Sequence, residues 1–343
     1  MKKSSFGGRI FFTVLALLVV SALASNAALM QQLSQPTNEI SLGSSSGEGG
    51  VENIAGGSGG GTSATYEAGG PESLAFDGTY VWVSRQFKDS VTRLRASDGV
   101  SGGTVAVGKN PVALAVAGTS VWVANLESDN VMKLRASDGV KLGTYTVGDG
   151  PGGLAYDGTN IWVTNRNSNN VTKLRASDGA RLGTYPTGRR PMGVAALGGN
   201  IWIANNMDDT VVKLRASDGV KLGTYAVGDG PFGVASDGAN IWVTNFFGKS
   251  VSKLRATDGA ALGTFTVGHD PAGISFDGTS IWIANSGENT VMRVHTGGSI
   301  ISTYSTGKSP FGVVFDGTNV WSANFGSDSV STSNAAAGST ALQ

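Results

Sequence analysis

Side chains suited to proton transfer are scarce in this chain. Two histidines and no cysteine occur among 343 residues, so a thiol nucleophile, a thiolate metal site and a disulfide framework are excluded. His269 is followed by Asp270, and a carboxylate there could orient an imidazole for general acid–base work. A single loop histidine is more often solvated than catalytic. We therefore assign no catalytic residue, no metal ligand and no cofactor.

Aromatic and cationic side chains are instead concentrated in short loops that differ from one another. Phe246-Phe247 lies close to Lys249, a combination that would suit a sugar, a peptide or an aromatic ligand. The alternative is that these loops are solvated and that their sequences differ through random drift. The candidate ligand-binding residues are Arg85, Phe87, Lys88, Arg166, Arg189, Arg190, Met207, Phe232, Phe246, Phe247, His269, Phe311 and Phe325.

Tryptophan marks the repeat that must position these loops. The seven tryptophans, from Trp82 to Trp321, are 40 residues apart five times and 39 apart once. A proline stands eleven residues before each of them. A period of this length is typical of repeat architectures. The copies start at Pro71, Pro111, Pro151, Pro191, Pro231, Pro271 and Pro310.

Each copy contains four short strand candidates separated by Gly, Asn and Asp, and no helical periodicity. Small residues such as Gly153 and Gly193 suit a crowded innermost strand, and Pro186 suits an outer edge strand. The sequence therefore predicts an all-β, seven-bladed β-propeller with four-stranded blades over 62–343. A stacked solenoid is the alternative. The last copy lacks its fourth strand, and we expect the N-terminal stretch Thr62 to Gly69 to complete that blade and close the ring.

The N-terminal segments have their own composition. Lys2 and Lys3 precede an apolar run from Ile10 to Ala24, so residues 1–24 are predicted to be a signal peptide. Residues 25–61 are a Gly- and Ser-rich flexible linker by composition. These features predict a secreted, periplasmic or cell-surface protein. If the signal is uncleaved, that segment alone would contact the membrane.

Strand alternation divides the propeller into two faces. The turn face holds nearly identical Asp-Gly and Ser/Thr-Asp-Gly turns, for which a structural role is predicted. The variable face holds the loops between second and third strands and the connections between blades, which change from copy to copy. The residues directly after the repeat prolines also vary: Glu72, Val112, Gly152, Met192, Phe232, Ala272 and Phe311.

Charge is balanced, with 25 basic and 25 acidic residues, so sequence-independent nucleic-acid binding is not expected. The third strands carry Lys or Arg pairs such as Lys173 and Arg175. A ring that binds polyanions is one interpretation. The other, which we favour, pairs these side chains with neighbouring Asp residues or backbone carbonyls near the rim.

The stretches Ile161-Trp162-Val163-Thr164-Asn165 and Ile241-Trp242-Val243-Thr244-Asn245 resemble YVTN-type secreted propeller repeats. The same register looks like the virginiamycin B lyase family, which implies a seven-bladed ring. That resemblance also implies magnesium-dependent catalysis by His and Glu on the central face, with a His after a repeat proline. No His follows any repeat proline here, and Asn, for example Asn165, occupies the acidic position of the lyase repeat. We expect that Asn to hold loop backbone.

The combined prediction is a binding or interaction module whose ligand, a protein or a glycan, lies on the variable face. One alternative is a metal-dependent lyase or hydrolase of the virginiamycin B lyase kind. A second alternative is a structural protein of the envelope or surface.

Overall fold

A computed structural model describes residues 52–53 and 64–335 of the chain. These residues form seven antiparallel sheets, numbered here as blades 1–7 along the chain. Within this part of the chain the only helical pieces are two 3-10 turns, Gln86–Lys88 and Phe325–Ser327. None of the described helices is long and apolar enough to cross a membrane. The predicted signal peptide (1–24) lies outside the described residues, as does the predicted linker (25–61) apart from 52–53.

The strands follow one another from the innermost to the outermost position of each blade. They are Pro71–Phe76, Tyr80–Arg85, Ser90–Arg95 and Ser101–Ala106 in blade 1; Pro111–Ala117, Ser120–Asn125, Asn130–Arg135 and Lys141–Thr146 in blade 2; Pro151–Tyr156, Asn160–Asn165, Asn170–Arg175 and Arg181–Pro186 in blade 3; Pro191–Leu197, Asn200–Asn205, Thr210–Arg215 and Lys221–Ala226 in blade 4; Pro231–Ser236, Asn240–Asn245, Ser250–Arg255 and Ala261–Thr266 in blade 5; Pro271–Phe276, Ser280–Asn285, Thr290–His295 and Ile300–Ser305 in blade 6; and Pro310–Phe315, Asn319–Asn324 and Ser329–Asn334 in blade 7.

The seven blades form a ring around a central channel. Each innermost strand packs against the innermost strand of the next blade, and that of blade 7 packs against that of blade 1. The close approach explains the small residues there, because a Cβ at Gly193 would overlap the carbonyl oxygen of Phe232 on the neighbouring strand. The predicted seven-bladed propeller is confirmed and the solenoid alternative is wrong.

The hydrophobic core lies between blades. Seven clusters each join the tryptophan of one blade to strands of the next, and six of them include both its second and its third strand. Trp162, for example, packs with Ile201, Ile203 and Leu214 of blade 4. The last cluster joins Trp321 of blade 7 to blade 1. All seven indoles are almost fully buried, at 0–2% exposure, so each blade positions the next by apolar contact.

An aspartate on the turn face fixes each indole in five of the blades. Asp157 accepts a hydrogen bond from Trp162 Nε1 at 2.7 Å and others from the backbone N–H groups of Thr159 and Asn160. Burial raises the pKa of Asp157, but these hydrogen bonds outweigh it, so its pKa lies below the ordinary value of 3.8. Blades 2 and 4 have Ala117 and Leu197 at this position. In these two blades the buried indole nitrogens of Trp122 and Trp202 have no hydrogen-bond partner.

A cation on the third strand connects each of blades 1–6 to the next. Lys173 Nζ lies 5.2 Å from the centre of the Trp162 ring and donates to the carbonyl oxygens of Ala216 and Ser217 in the Ser-Asp-Gly turn of blade 4. The second residue of each pair stays on its own turn, as in the Arg175–Asp178 ion pair at 2.9 Å. These contacts agree with the interpretation that the Lys and Arg pairs bind neighbouring Asp residues and backbone carbonyls. They give no support to a ring that binds polyanions.

The edge of blade 7 is occupied by N-terminal backbone. Strand Ala64–Glu67 runs antiparallel to Ser329–Asn334, with Tyr66 opposite Val330, and Glu52–Asn53 pairs beyond it. Blade 7 has Thr332 at the position where the third strands of the other blades have the Lys or Arg that lies over the indole. That the N-terminal strand is what holds the ring closed stays a prediction.

The unequal turns allow a direct test of the Asp–Trp bond. Asp157→Ala should lower the free energy of unfolding by about 1–3 kcal/mol, because it leaves a buried donor unpaired. Ala117→Asp should raise it by about 1 kcal/mol by giving Trp122 an acceptor. Urea unfolding of both variants measures this, and the bond is unimportant if neither shifts the midpoint.

The same bond predicts the response to acid. A carboxyl with a lowered pKa stabilises the fold above its ordinary pKa and loses that contribution as the pH falls through its folded pKa. Asp157→Asn keeps an oxygen acceptor but cannot titrate, so its stability should fall less steeply below about pH 4 than that of the wild type. Equal slopes would show that Asp157 does not contribute to acid unfolding.

The N-terminal closure predicts where truncation loosens the ring. A chain that starts at Pro71 should lose hydrogen-exchange protection at the amides of Ser329 and Val330 that face the N-terminal strand, since that strand is gone, while the pairing with Asn319–Asn324 remains. A chain that starts at Val51 keeps the paired strands and should match the full-length protein. Unchanged protection in the shorter chain would contradict closure by this strand.

Candidate functional site

The variable face surrounds one mouth of the central channel. The loops between second and third strands lie beside the connections between blades, as shown by the hydrogen bond from Arg166 N to the carbonyl oxygen of Gly150 at 2.8 Å. The channel has a cavity of about 210 Å³. Its lining comes from the innermost strands of all seven blades together with the side chain of Arg166. The cavity is small, so it suits a small ligand or the end of a larger one.

Repeated asparagines shape this face. Asn165 Oδ1 accepts a hydrogen bond from Gly148 N in the connection from blade 2, and its amide nitrogen donates to Asn170 Oδ1 and Thr172 Oγ1. Asn205 and Asn245 hold Gly188 and Gly228 in the same way. The expectation that the repeated asparagines hold loop backbone is met at Asn165, Asn205 and Asn245, and the backbone concerned belongs to the incoming connection. The side-chain oxygens of Asn125 and Asn285 are buried without a hydrogen-bond partner.

Aromatic rings cover one side of the mouth. Phe232 of blade 5 reaches Phe311 of blade 7, with 6.2 Å between ring centres, past the small Ala272 of blade 6. Neighbouring centres are 5.3–6.2 Å apart, a range typical of edge-on and tilted pairs. Six phenylalanines thus form an unbroken chain in the order Phe87, Phe325, Phe311, Phe232, Phe246 and Phe247.

Charged groups occupy the other side. Glu72 begins the inner strand of blade 1, and its Oε1 lies 3.7 Å from Nη2 of Arg166 on blade 3. Both side chains are largely buried, with 15% and 14% exposed. Gly152 makes room for the arginine, since a Cβ there would overlap the Arg166 side chain. The pair therefore crosses the mouth in front of blade 2.

Burial dominates the ionisation of this pair. It raises the pKa of Glu72 and lowers the pKa of Arg166, and in each case the partner's opposite charge compensates only in part. A buried pair of this kind is expected to be held at a cost in stability. Strongly perturbed groups in a concave site are candidates for function.

Two consecutive arginines stand next to the pair. Arg190 is half-buried, and its pKa is lowered by burial and by the positive charge of Arg166. Its backbone is left-handed, at φ 53°, a conformation that bulky residues rarely adopt. Arg189 instead forms an ion pair with Asp208 and donates from Nη2 to the carbonyl oxygen of Met207 at 2.7 Å.

The remaining predicted residues lie further from the channel. Arg85 donates from Nε to the carbonyl oxygen of Ala68 at 2.9 Å, so part of its donor capacity is used by backbone. Lys88 and Met207 are exposed. His269 is exposed, with Nε2 3.7 Å from Oε1 of Glu288. All the predicted residues therefore share one face, but only Arg166, Phe232 and Phe311 line the cavity.

Glu72 is the functional candidate that sequence reasoning left out. It was visible only as the one charged residue among the seven that follow the repeat prolines. Its partner lies 94 positions away in the third blade, a distance that no local pattern links.

A second groove lies between blades 1 and 2 on the turn face, with a volume of about 500 Å³. Its charged groups already serve the fold, because Asp77 accepts from Trp82 Nε1 and Arg135 is paired with Asp138. The mouth on the variable face is the better candidate site.

The chain is a seven-bladed β-propeller with a charged and aromatic mouth on one face. No protein-family model matches it, and no curated protein does. Solved structures of similar fold include a hydrazine synthase of Kuenenia stuttgartiensis, at 19% identity and a TM-score of 0.70, covering 79% of this chain and 97% of that one.

Propellers of the lyase kind are also similar. A streptogramin B lyase is 20% identical with a TM-score of 0.68, covering 83% of this chain and 96% of that one. Virginiamycin B lyase from Staphylococcus aureus is 18% identical with a TM-score of 0.68, covering 79% and 98%. The resemblance seen in the sequence is thus matched in structure, and at these identities it establishes the fold.

The magnesium site implied by the lyase resemblance does not fit the residues present. Among residues 68–335, no three His, Cys, Asp or Glu side chains come together as a metal site. The carboxylate nearest the channel, Glu72, faces a guanidinium. We derive no step through a metal ion.

Removing one partner in one variant and replacing both in another tests whether the pair at the mouth costs stability. Glu72→Ala should lower the free energy of unfolding by about 3–5 kcal/mol, because it leaves the Arg166 charge buried without a partner. Glu72→Leu combined with Arg166→Met should be at least as stable as the wild type. Calorimetric Tm values measure both, and a double variant less stable than Glu72→Ala would show that the pair serves the fold.

Proposed function

We propose that this protein is a secreted, periplasmic or cell-surface binding module whose ligand lies over the channel mouth on the variable face. The observation that supports this most is the asymmetry of the mouth. Phenylalanines cover one side of it and the pair of Glu72 and Arg166 crosses the other, in a ring whose fold would allow seven equal sectors. The turn face differs between blades by the loss of an aspartate at Ala117 and Leu197, and the polar groups that it carries bind backbone or indole.

The exposed ends of the phenylalanine chain favour contact with a ligand. Phe87 is 64% exposed and Phe247 is 43% exposed, although rings of this size usually lie inside. Aromatic faces bind sugar rings, peptide side chains and other apolar groups. A protein segment or a glycan resting on Phe246 and Phe247 therefore remains the proposed ligand class for the outer part of the site.

The proposed location follows from the predicted signal peptide at residues 1–24. The absence of cysteine from the sequence is compatible with any compartment. Of the two alternatives, a lyase is supported by the similarity in fold to the lyase structures. No observation favours a purely structural envelope protein.

Binding at the variable face can be tested without knowing the ligand. The immobilised protein would be screened by surface plasmon resonance against a panel of glycans, peptides and small organic molecules. Compounds that bind should lose at least tenfold in affinity with the double variant Phe246→Ala, Phe247→Ala, because it removes apolar contact area.

Tyr156→Ala is the matched control. Tyr156 is an exposed aromatic residue at the end of an inner strand on the turn face, and its removal should change affinities less than twofold. A panel that yields no bound compound, or compounds that respond to Tyr156→Ala and not to the double variant, would overturn the proposal.

A further inference from the structure

Arg166 has fewer partners than a buried guanidinium requires. A guanidinium carries five N–H donors. Nη2 of Arg166 lies 3.4 Å from the carbonyl oxygen of Gly152 and 3.7 Å from Glu72 Oε1. Nε is buried and has no acceptor at all. Buried donors are rarely left without a partner unless an ion, water or ligand supplies one.

Arg190 adds a second positive charge to the same place. It lies two residues before Met192, which lines the cavity, and the positive charge of Arg166 helps to lower its pKa. Arg190 takes part in none of the ion pairs found among residues 68–335, and Asp208 is already paired with Arg189. Glu72 pairs with Arg166 alone, so the charge of Arg190 has no counter-ion among these residues and leaves an excess positive charge at the mouth.

The backbone at Arg190 indicates that arginine is not there for the fold. All seven blades have a left-handed residue at this point of the connection, and the others are Gly70, Asn110, Gly150, Gly230, Asp270 and Ser309. Glycine and asparagine adopt this conformation easily, while arginine is strained in it. Strain of this kind gathers at functional sites.

The opposite wall of the same cavity is apolar. Phe232, Phe311 and Met192 line it, and their side chains offer no charge to an anion. A ligand that satisfies both walls has an anionic group at one end and an apolar body at the other.

From this juxtaposition we infer that the mouth binds an apolar carboxylate, with its carboxylate on Arg166 and Arg190 and its apolar body against Phe232 and Phe311. Planar guanidiniums match carboxylates by paired hydrogen bonds. The group could belong to a small organic acid or to the C-terminal residue of a peptide. This inference rests on the proposed function and names the chemistry of the ligand at that site.

Calorimetric titration with 3-phenylpropionate as the probe tests the inference. It should bind at least tenfold more tightly than the neutral 3-phenylpropanamide and than acetate, which lacks the apolar body. A peptide that ends in Phe, used with a free or an amidated C-terminus, distinguishes the two sources. Stronger binding of the free-acid peptide than of 3-phenylpropionate would indicate a chain end, and the reverse a small acid.

Arg190→Asn removes the charge and installs the residue that blade 2 carries at the same point, so the backbone should be preserved. It should weaken binding of 3-phenylpropionate at least tenfold. Arg181→Asn is the matched control, since Arg181 is an exposed arginine on the outermost strand of blade 3, away from the channel, and should change the affinity less than threefold. Unaltered far-ultraviolet circular dichroism and Tm confirm that both variants fold.

The inference falls if the amide binds as well as the acid, if Arg190→Asn leaves affinity unchanged, or if acetate or inorganic phosphate binds as tightly as 3-phenylpropionate. Neutral glycans or peptides that depend on Phe246 and Phe247 but not on Arg190 would overturn this inference and leave the proposed function standing. Failure of every compound in both experiments would overturn the two together.

Discussion

The contact between an indole ring and the next blade is the constraint on which the whole ring depends. Each tryptophan is buried under the strands of its neighbour, and its nitrogen is tied to its own turn in five blades. A lysine or arginine lies over the ring in six blades and in most of them reaches the neighbouring turn. The apolar contact, the hydrogen bond and the cation–π contact thus fix together how one blade is oriented on the next. Repeating this interface around seven blades gives a closed ring.

This constraint explains why one face varies and the other does not. The Ser/Thr-Asp-Gly turns of blades 2–5 are each a docking surface for the blade before. In blade 3, Gly179 packs so closely on Tyr145 that a Cβ would overlap the ring. A change there would disturb an interface. The loops around the channel mouth lie away from the indoles and are held by repeated asparagines through backbone contacts. Their side chains are therefore free to differ.

The ring can be predicted from the sequence because the residues that form it recur at the same position in the seven copies. Asp157 and Asn165 act on residues of their own copy or of the adjacent connection, and Trp162 acts on the adjacent copy, so the repeat reveals them. The pairing of Glu72 with Arg166 is written once and spans three blades. It depends on the radius of the ring, which only the closed structure defines. The unpaired indole of Trp122 is an intermediate case, since Ala117 is visible in the sequence but its consequence requires the Asp–Trp contact to be known.

A ring of equal sectors has no preferred orientation for a small ligand, so recognition has to come from positions where the repeat is broken. Two positions of the repeat border the mouth, the residue after the repeat proline and the residue that directly follows the second strand. At these positions Glu72 is the only acid and Arg166 the only cation, and aromatic residues occur only in blades 5 and 7. Burial removes the charged pair of Glu72 and Arg166 from water, which disfavours both charges. Arg190 adopts a backbone conformation that favours glycine. Neither helps the ring to close. Features that cost stability and break the repeat at the same opening are best explained by a ligand that needs both the charge and the apolar wall.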